Sequence, residues 1–140
     1  MEEQLISFDT AKLAKEKGFN IPTISYYNPK GRSEESEGYM TERLESSNWN
    51  NGQGSYPTHA KDIECSAPTQ SLLQKWLREK HKIHIQIQVL GQFVNGDNKF
   101  YSQVILFGDN KWISKFISNK LTYTYEEALE IGLHEALKLI

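Results

Sequence analysis

The sequence predicts an α+β fold: an antiparallel sheet, made of a three-stranded C-terminal meander plus short N-terminal strands, packed against two amphipathic helices, with a short N-terminal helix. Three observations predict it. Leu72, Leu73, Trp76 and Leu77 recur at helical spacing. Directly afterwards Ile83, Ile85, Ile87 and Val89 alternate with His84, Gln86, Gln88 and Leu90. A second apolar helical stripe then runs from Tyr125 to Ile140. The 140 residues suit one ordinary domain that can bury a core without metals or disulfides, so residues 1–140 are expected to form a single domain.

The first element is a helix over Ser7–Lys17. Ser7 or Asp9 can cap its free amides, Phe8, Ala11, Leu13 and Ala14 form a modest apolar stripe, and Gly18 supplies the left-handed stop after which Phe19 folds back. Ile21–Tyr27 is β-prone, but Pro22 lacks a donor, so an edge strand is expected. Asn28-Pro29-Lys30-Gly31 reads as a turn into a polar, flexible region, 28–62, whose only sizeable apolar groups are Tyr39, Met40, Leu44, Trp49 and Tyr56. Short strands near Tyr39–Leu44 and Tyr56–Glu64 could pair with the Ile21 strand, and Asn48–Ser55 has the composition of a mobile loop.

Ser66-Ala67-Pro68-Thr69 opens the helix that carries Trp76 and runs to about His81, since Pro is tolerated in a first turn. The isoleucine strand follows. Asn95-Gly96-Asp97-Asn98 is a hairpin turn, Phe100–Phe107 returns as a nearly continuous apolar strand, and Gly108-Asp109-Asn110 turns into Lys111–Ile117. In the last helix Thr124 and Glu127 have capping-box spacing, and Tyr125, Ala128, Leu129, Gly132, Leu133, Ala136, Leu137 and Ile140 line one face. A helix-interior glycine costs about 1 kcal/mol against alanine, so Gly132 implies that the helix backbone approaches a strand there.

Bulk properties exclude several classes. A net charge of −2 creates no long-range field for nucleic acid or an anionic membrane, so any such binding needs a local patch. The lone cysteine, Cys65, can form no internal disulfide, no apolar run reaches the roughly 20 residues of a membrane span, and Met-Glu-Glu-Gln lacks the pattern of a secretory signal. A reduced, cytoplasmic setting without membrane association is expected.

The four histidines, His59, His81, His84 and His134, show neither HExxH nor a repeated Cys/His spacing, so no metal site and no cofactor is expected; His134 lies one turn after Glu130, its natural surface partner. There is no GxSxG, phosphate-binding glycine loop or dinucleotide fingerprint. A small hydrolase or transferase would have to use Cys65, whose thiol nearby helix amides would make more acidic if its sulfur pointed at them, or His84. Lys75, Arg78, Lys80, His81 and Lys82 form the one basic cluster, which could grip the phosphates of a nucleotide or nucleic acid. Tyr26, Tyr27, Trp49 and Tyr56 lie in or near the polar region, where exposed aromatics among Asn, Ser and Gly suit an adaptable recognition loop. With His84, Gln86 and Gln88 on the open face of the isoleucine strand they make up the predicted binding surface. Ile131 and Leu139, on the second face of the last helix, would suit a homo-oligomer.

Three stretches, FDTAKLAKEKGF at Phe8–Phe19, SAPTQSLLQKWLRE at Ser66–Glu79 and YEEALEIGLHEAL at Tyr125–Leu137, are similar to small uncharacterised proteins encoded by phages and prophages of gut anaerobes. The strings hold no catalytic residues and transfer no site. The resemblance implies a setting in the host cytoplasm: a non-catalytic accessory or counter-defence factor that binds a host protein or a small nucleotide-like ligand.

Overall fold

A computed structural model describes residues 3–28, 40–51, 63–91, 99–108 and 110–140, without the side chains of Met40 and Leu44. The predicted turns at 29–31 and 95–98, together with Tyr39, residues 52–55, Tyr56 and His59, lie outside the described residues. The chain divides into two units, Leu5–Thr69 and Met1–Gln4 with Gln70–Ile140.

In the first unit, helix α1 spans Phe8–Glu16 because Ser7 Oγ accepts from the Thr10 amide at its start, and Gly18, at φ +88°, ends it in a conformation that favours glycine. The Phe19 amide then donates back to the Ala14 carbonyl, and the Phe19 ring is buried with Phe8, Ala11 and Ala14. Strands β1 (Thr23–Tyr27), β2 (Met40–Ser47) and β3 (Cys65–Ser66) form an antiparallel sheet in the order β2-β1-β3. The expectation of an edge strand is therefore corrected: β1 is central. Pro22 precedes its first residue, so the missing N–H removes no ladder bond. Most of the strand expected over Tyr56–Glu64 lies outside the described residues, and the strand seen beside β1 is Cys65–Ser66; the helix expected to start at Ser66 starts at Gln70, because Ser66 is already paired with Tyr26.

Part of the predicted mobile loop is also corrected. Trp49–Asn51 is a short 3-10 turn with the Trp49 ring buried and its Nε1 donating to the Thr23 carbonyl at 2.7 Å. Asn50 ties this turn to two others: its Nδ2 donates to the Phe19 carbonyl at 2.7 Å and its Oδ1 accepts from the Ser66 amide at 2.8 Å.

The second unit contains helix α2 (Gln70–His81), strands β4 (Ile83–Leu90), β5 (Lys99–Gly108) and β6 (Lys111–Ile117), and helix α3 (Tyr125–Leu137). The strands are an antiparallel meander in the order β4-β5-β6. Lys82, at φ 58°, makes the sharp passage from α2 into β4. Thr124 caps α3 by accepting from the Glu127 amide, while the Glu127 carboxylate accepts from the Tyr123 amide. Both helices pack on one face of the sheet, α3 across β4 and β5, α2 against β4 and α3. The core holds Leu73, Trp76 and Leu77 of α2, Ile83 and Ile85 of β4, Val104 of β5, and Leu129, Leu133 and Leu137 of α3. Gly132 lies where a Cβ would stand 2.7 Å from Ile85 Cγ2 and 3.0 Å from Ser102 Cβ, the close approach its sequence position implies. Burial fades along β4: Val89, expected in the buried ladder, is 56% exposed because the helices cover the Ile83 end of the strand.

Candidate functional site: the open face of the second sheet

With α2 and α3 on one side, the other side of the β4-β5-β6 sheet carries no helical layer of this unit among the described residues. Strand alternation fixes what it shows. His84 stands opposite Ile105, Gln86 opposite Gln103 and Gln88 opposite Tyr101 across β4 and β5. Phe107 stands opposite Trp112, Ile105 opposite Ser114 and Gln103 opposite Ile117 across β5 and β6. His84, Gln86 and Gln88 thus share one face, as predicted.

The face is more apolar than its first strand suggests. Trp112 is 64% exposed, Ile117 59% and Phe107 38%. The two rings hold each other: Phe107 and Trp112 are tilted together at a centroid distance of 4.6 Å, and His84 meets Trp112 edge to face at 6.1 Å. Gln103 Nε2 donates to Ser114 Oγ at 3.0 Å beside them. Large apolar side chains exposed together on one sheet face, with glutamines among them, are a usual mark of a surface that another molecule covers. No Asp or Glu occurs in β4, β5 or β6, whereas Lys99, Lys111 and Lys115 do. The aromatic part was missed in the sequence because Val104–Phe107 is continuously apolar and reads as buried on both faces. Trp112 in a strand with lysines at both Lys111 and Lys115 was the available signal.

The predicted aromatic recognition loop is corrected. Tyr26 is 2% exposed and Trp49 7%, their rings stacked at 4.8 Å inside the first unit, with the Tyr26 hydroxyl accepting from Arg43 at 3.1 Å. Tyr27 is half-buried, donating to the Ile6 carbonyl, and Tyr56 lies outside the described residues. These rings are exposed only in the sense of their polar sequence neighbours; backbone carbonyls and the α1 core hold them.

The basic cluster does not converge. Lys75, Arg78, Lys80 and Lys82 are all exposed, but Lys80 lies about 140° round the helix from Lys75 at 3.6 residues per turn. Lys75 faces the Glu79 carboxylate at 4.0 Å, and Lys82 Nζ turns back to the Glu79 carbonyl at 3.4 Å. His81 sits edge-on to Trp76 at 4.6 Å with its Nε2 buried and unbonded; burial, with Lys80 adding, holds its pKa below the ordinary value.

Cys65 is fully buried, and its thiol is pushed up to about 12 by burial, with Glu64 adding to the effect. The expected acidification by helix amides is corrected: α2 begins five residues later, and an un-ionised buried thiol is a poor nucleophile. Among the described residues no three His, Cys, Asp or Glu side chains gather as metal ligands. An open groove of about 490 Å³ between residues 120–123 and the start of α3 holds Glu127 and Glu130, whose carboxylates accept from the Tyr123 amide and from Gln70. No described helix is long and apolar enough to cross a membrane. Comparison of the chain with protein-family models, with curated proteins and with solved structures finds no match.

Proposed function

We propose that the chain is a non-catalytic binding protein, a phage accessory or counter-defence factor in the cytoplasm of a bacterial host, which engages a host protein through the open face of the β4-β5-β6 sheet. The observation that carries the reading is the exposed Phe107–Trp112 ring pair, with Ile117 exposed on the same face of a sheet whose other face packs against two helices along β4 and β5. Large aromatic side chains held rigid before binding lose little entropy on association and supply most of the energy of protein interfaces. Glutamines 86, 88 and 103 give the patch a polar border that can hydrogen-bond once water leaves.

The test is capture from host lysate by the intact chain and by Trp112→Ser and Ile117→Ser variants, with mass spectrometry of retained proteins and small molecules. A partner retained by the parent and lost roughly thirtyfold or more from either variant, each still folded at the capture temperature, supports the reading. Retention indifferent to both substitutions, or retention of a nucleotide alone, overturns it.

A further inference from the structure

The two edges of the second sheet differ. On β4 a side chain already occupies the strand: Gln74 Nε2, from α2, donates to the Ile85 carbonyl at 3.1 Å. On β6 every residue from Lys111 to Ile117 is exposed except half-buried Phe116. Its apolar side chains are uncovered on both faces of the sheet. Trp112 and Ile117 project to the open face, while Ile113, paired with Leu106, projects to the helix face and is still 44% exposed. A ligand lying flat on the open face would leave Ile113 in water. A strand added beside β6 would cover both sides at once, because its own side chains alternate between the faces.

The charge on the edge narrows the occupant further. Lys111 and Lys115 flank Trp112 and Ile113, and the three strands contain no carboxylate to answer them. A second copy of β6 would bring its own pair of lysines to the same seam, which is how edge strands discourage self-pairing. A segment with carboxylates would meet them favourably. Building on the reading of this sheet as the binding surface, we infer that the β6 edge takes an extended, acidic segment of a partner protein as a fourth strand. Its alternate residues are apolar and pack on Trp112 and Ile117 on one side and Ile113 on the other.

A displayed random-peptide library panned on the intact chain tests this. Enriched peptides should carry apolar residues at every second position with Asp or Glu between them. Their binding should slow amide hydrogen exchange across Lys111–Ile117, fail when alternate peptide amides are N-methylated, and weaken about tenfold in the Lys111→Glu, Lys115→Glu double variant. Peptides whose binding is lost in Trp112→Ser but that leave exchange across Lys111–Ile117 unaltered, and that tolerate N-methylation, would overturn strand addition and leave the open face standing as a binding surface. Self-association through β6, preferential binding of single-stranded oligonucleotides to this edge, or enrichment of no peptide would overturn the inference. Binding that ignores Trp112→Ser as well would overturn both readings.

Discussion

Gly132 shows how much one missing methylene group can decide. On an exposed helix, Gly→Ala would stabilise by about 1 kcal/mol. Here the new Cβ would stand 2.7 Å from Ile85 Cγ2 and 3.0 Å from the Cβ of Ser102, which is itself fully buried, so the helix must lift off the sheet. Gly132→Ala is expected to destabilise by about 1–3 kcal/mol, read as a lower denaturation midpoint. Trimming the obstacle with Ile85→Val should return part of the loss. Asn50 is the corresponding residue of the first unit: Asn50→Ala leaves the Phe19 carbonyl and the Ser66 amide unanswered and should cost about 2–4 kcal/mol. His81 adds a pH dependence whose sign follows from its depressed pKa. Above about pH 6.5 the ring is neutral folded or unfolded, and stability is complete; below that value the unfolded chain takes a proton that the folded ring resists, so stability falls. His81→Gln should therefore lose less stability than the parent between about pH 7.5 and 5 in denaturant titrations.

Elements differ in how far local sequence determines them. The caps at Ser7 and Thr124 and the Gly18 stop were legible because each rests on residues within a few positions of one another, and the meander from Ile83 to Ile117 because its paired strands follow one another in the chain. The place of β1 was not, since its neighbour β3 arrives from Cys65 and nothing in Ile21–Tyr27 announces it. Nor was the burial of Trp49, which depends on the Thr23 carbonyl more than twenty residues away. For the candidate site, alternation placed His84, Gln86 and Gln88 correctly, but only the β5-β6 register reveals that Phe107 and Trp112 join them. Chain-local polarity pointed to the wrong aromatics. The contrast can be measured: Leu133→Ala, in the wholly buried stripe of α3, should cost about 2–5 kcal/mol. Ile117→Ser, on an uncovered face, should stay within about 0.5 kcal/mol, and Trp112→Ser should cost about 0.5–1.5 kcal/mol through its lost contact with Phe107.

At the scale of the molecule, length bounded how much chain there was to fold but not how its contacts divide between two sheets, each with its own buried residues. Net charge misleads in a similar way. The total of −2 comes from 18 acidic and 16 basic residues, yet the strands β4, β5 and β6 themselves carry Lys99, Lys111 and Lys115 and no Asp or Glu. A net charge this small sets up no long-range field, so Lys111 and Lys115 act only on a carboxylate that comes within a few ångströms. Exposed charges more than a Debye length of about 8 Å apart are largely screened at physiological ionic strength, whereas a pair formed inside an apolar seam is screened much less. Affinity for an acidic apolar peptide should therefore fall by less than about tenfold from low to physiological salt. A ligand held by many phosphates would lose several orders of magnitude over the same range. A salt titration by calorimetry separates them by slope alone, and a steep slope would mean that the lysines are reading phosphates.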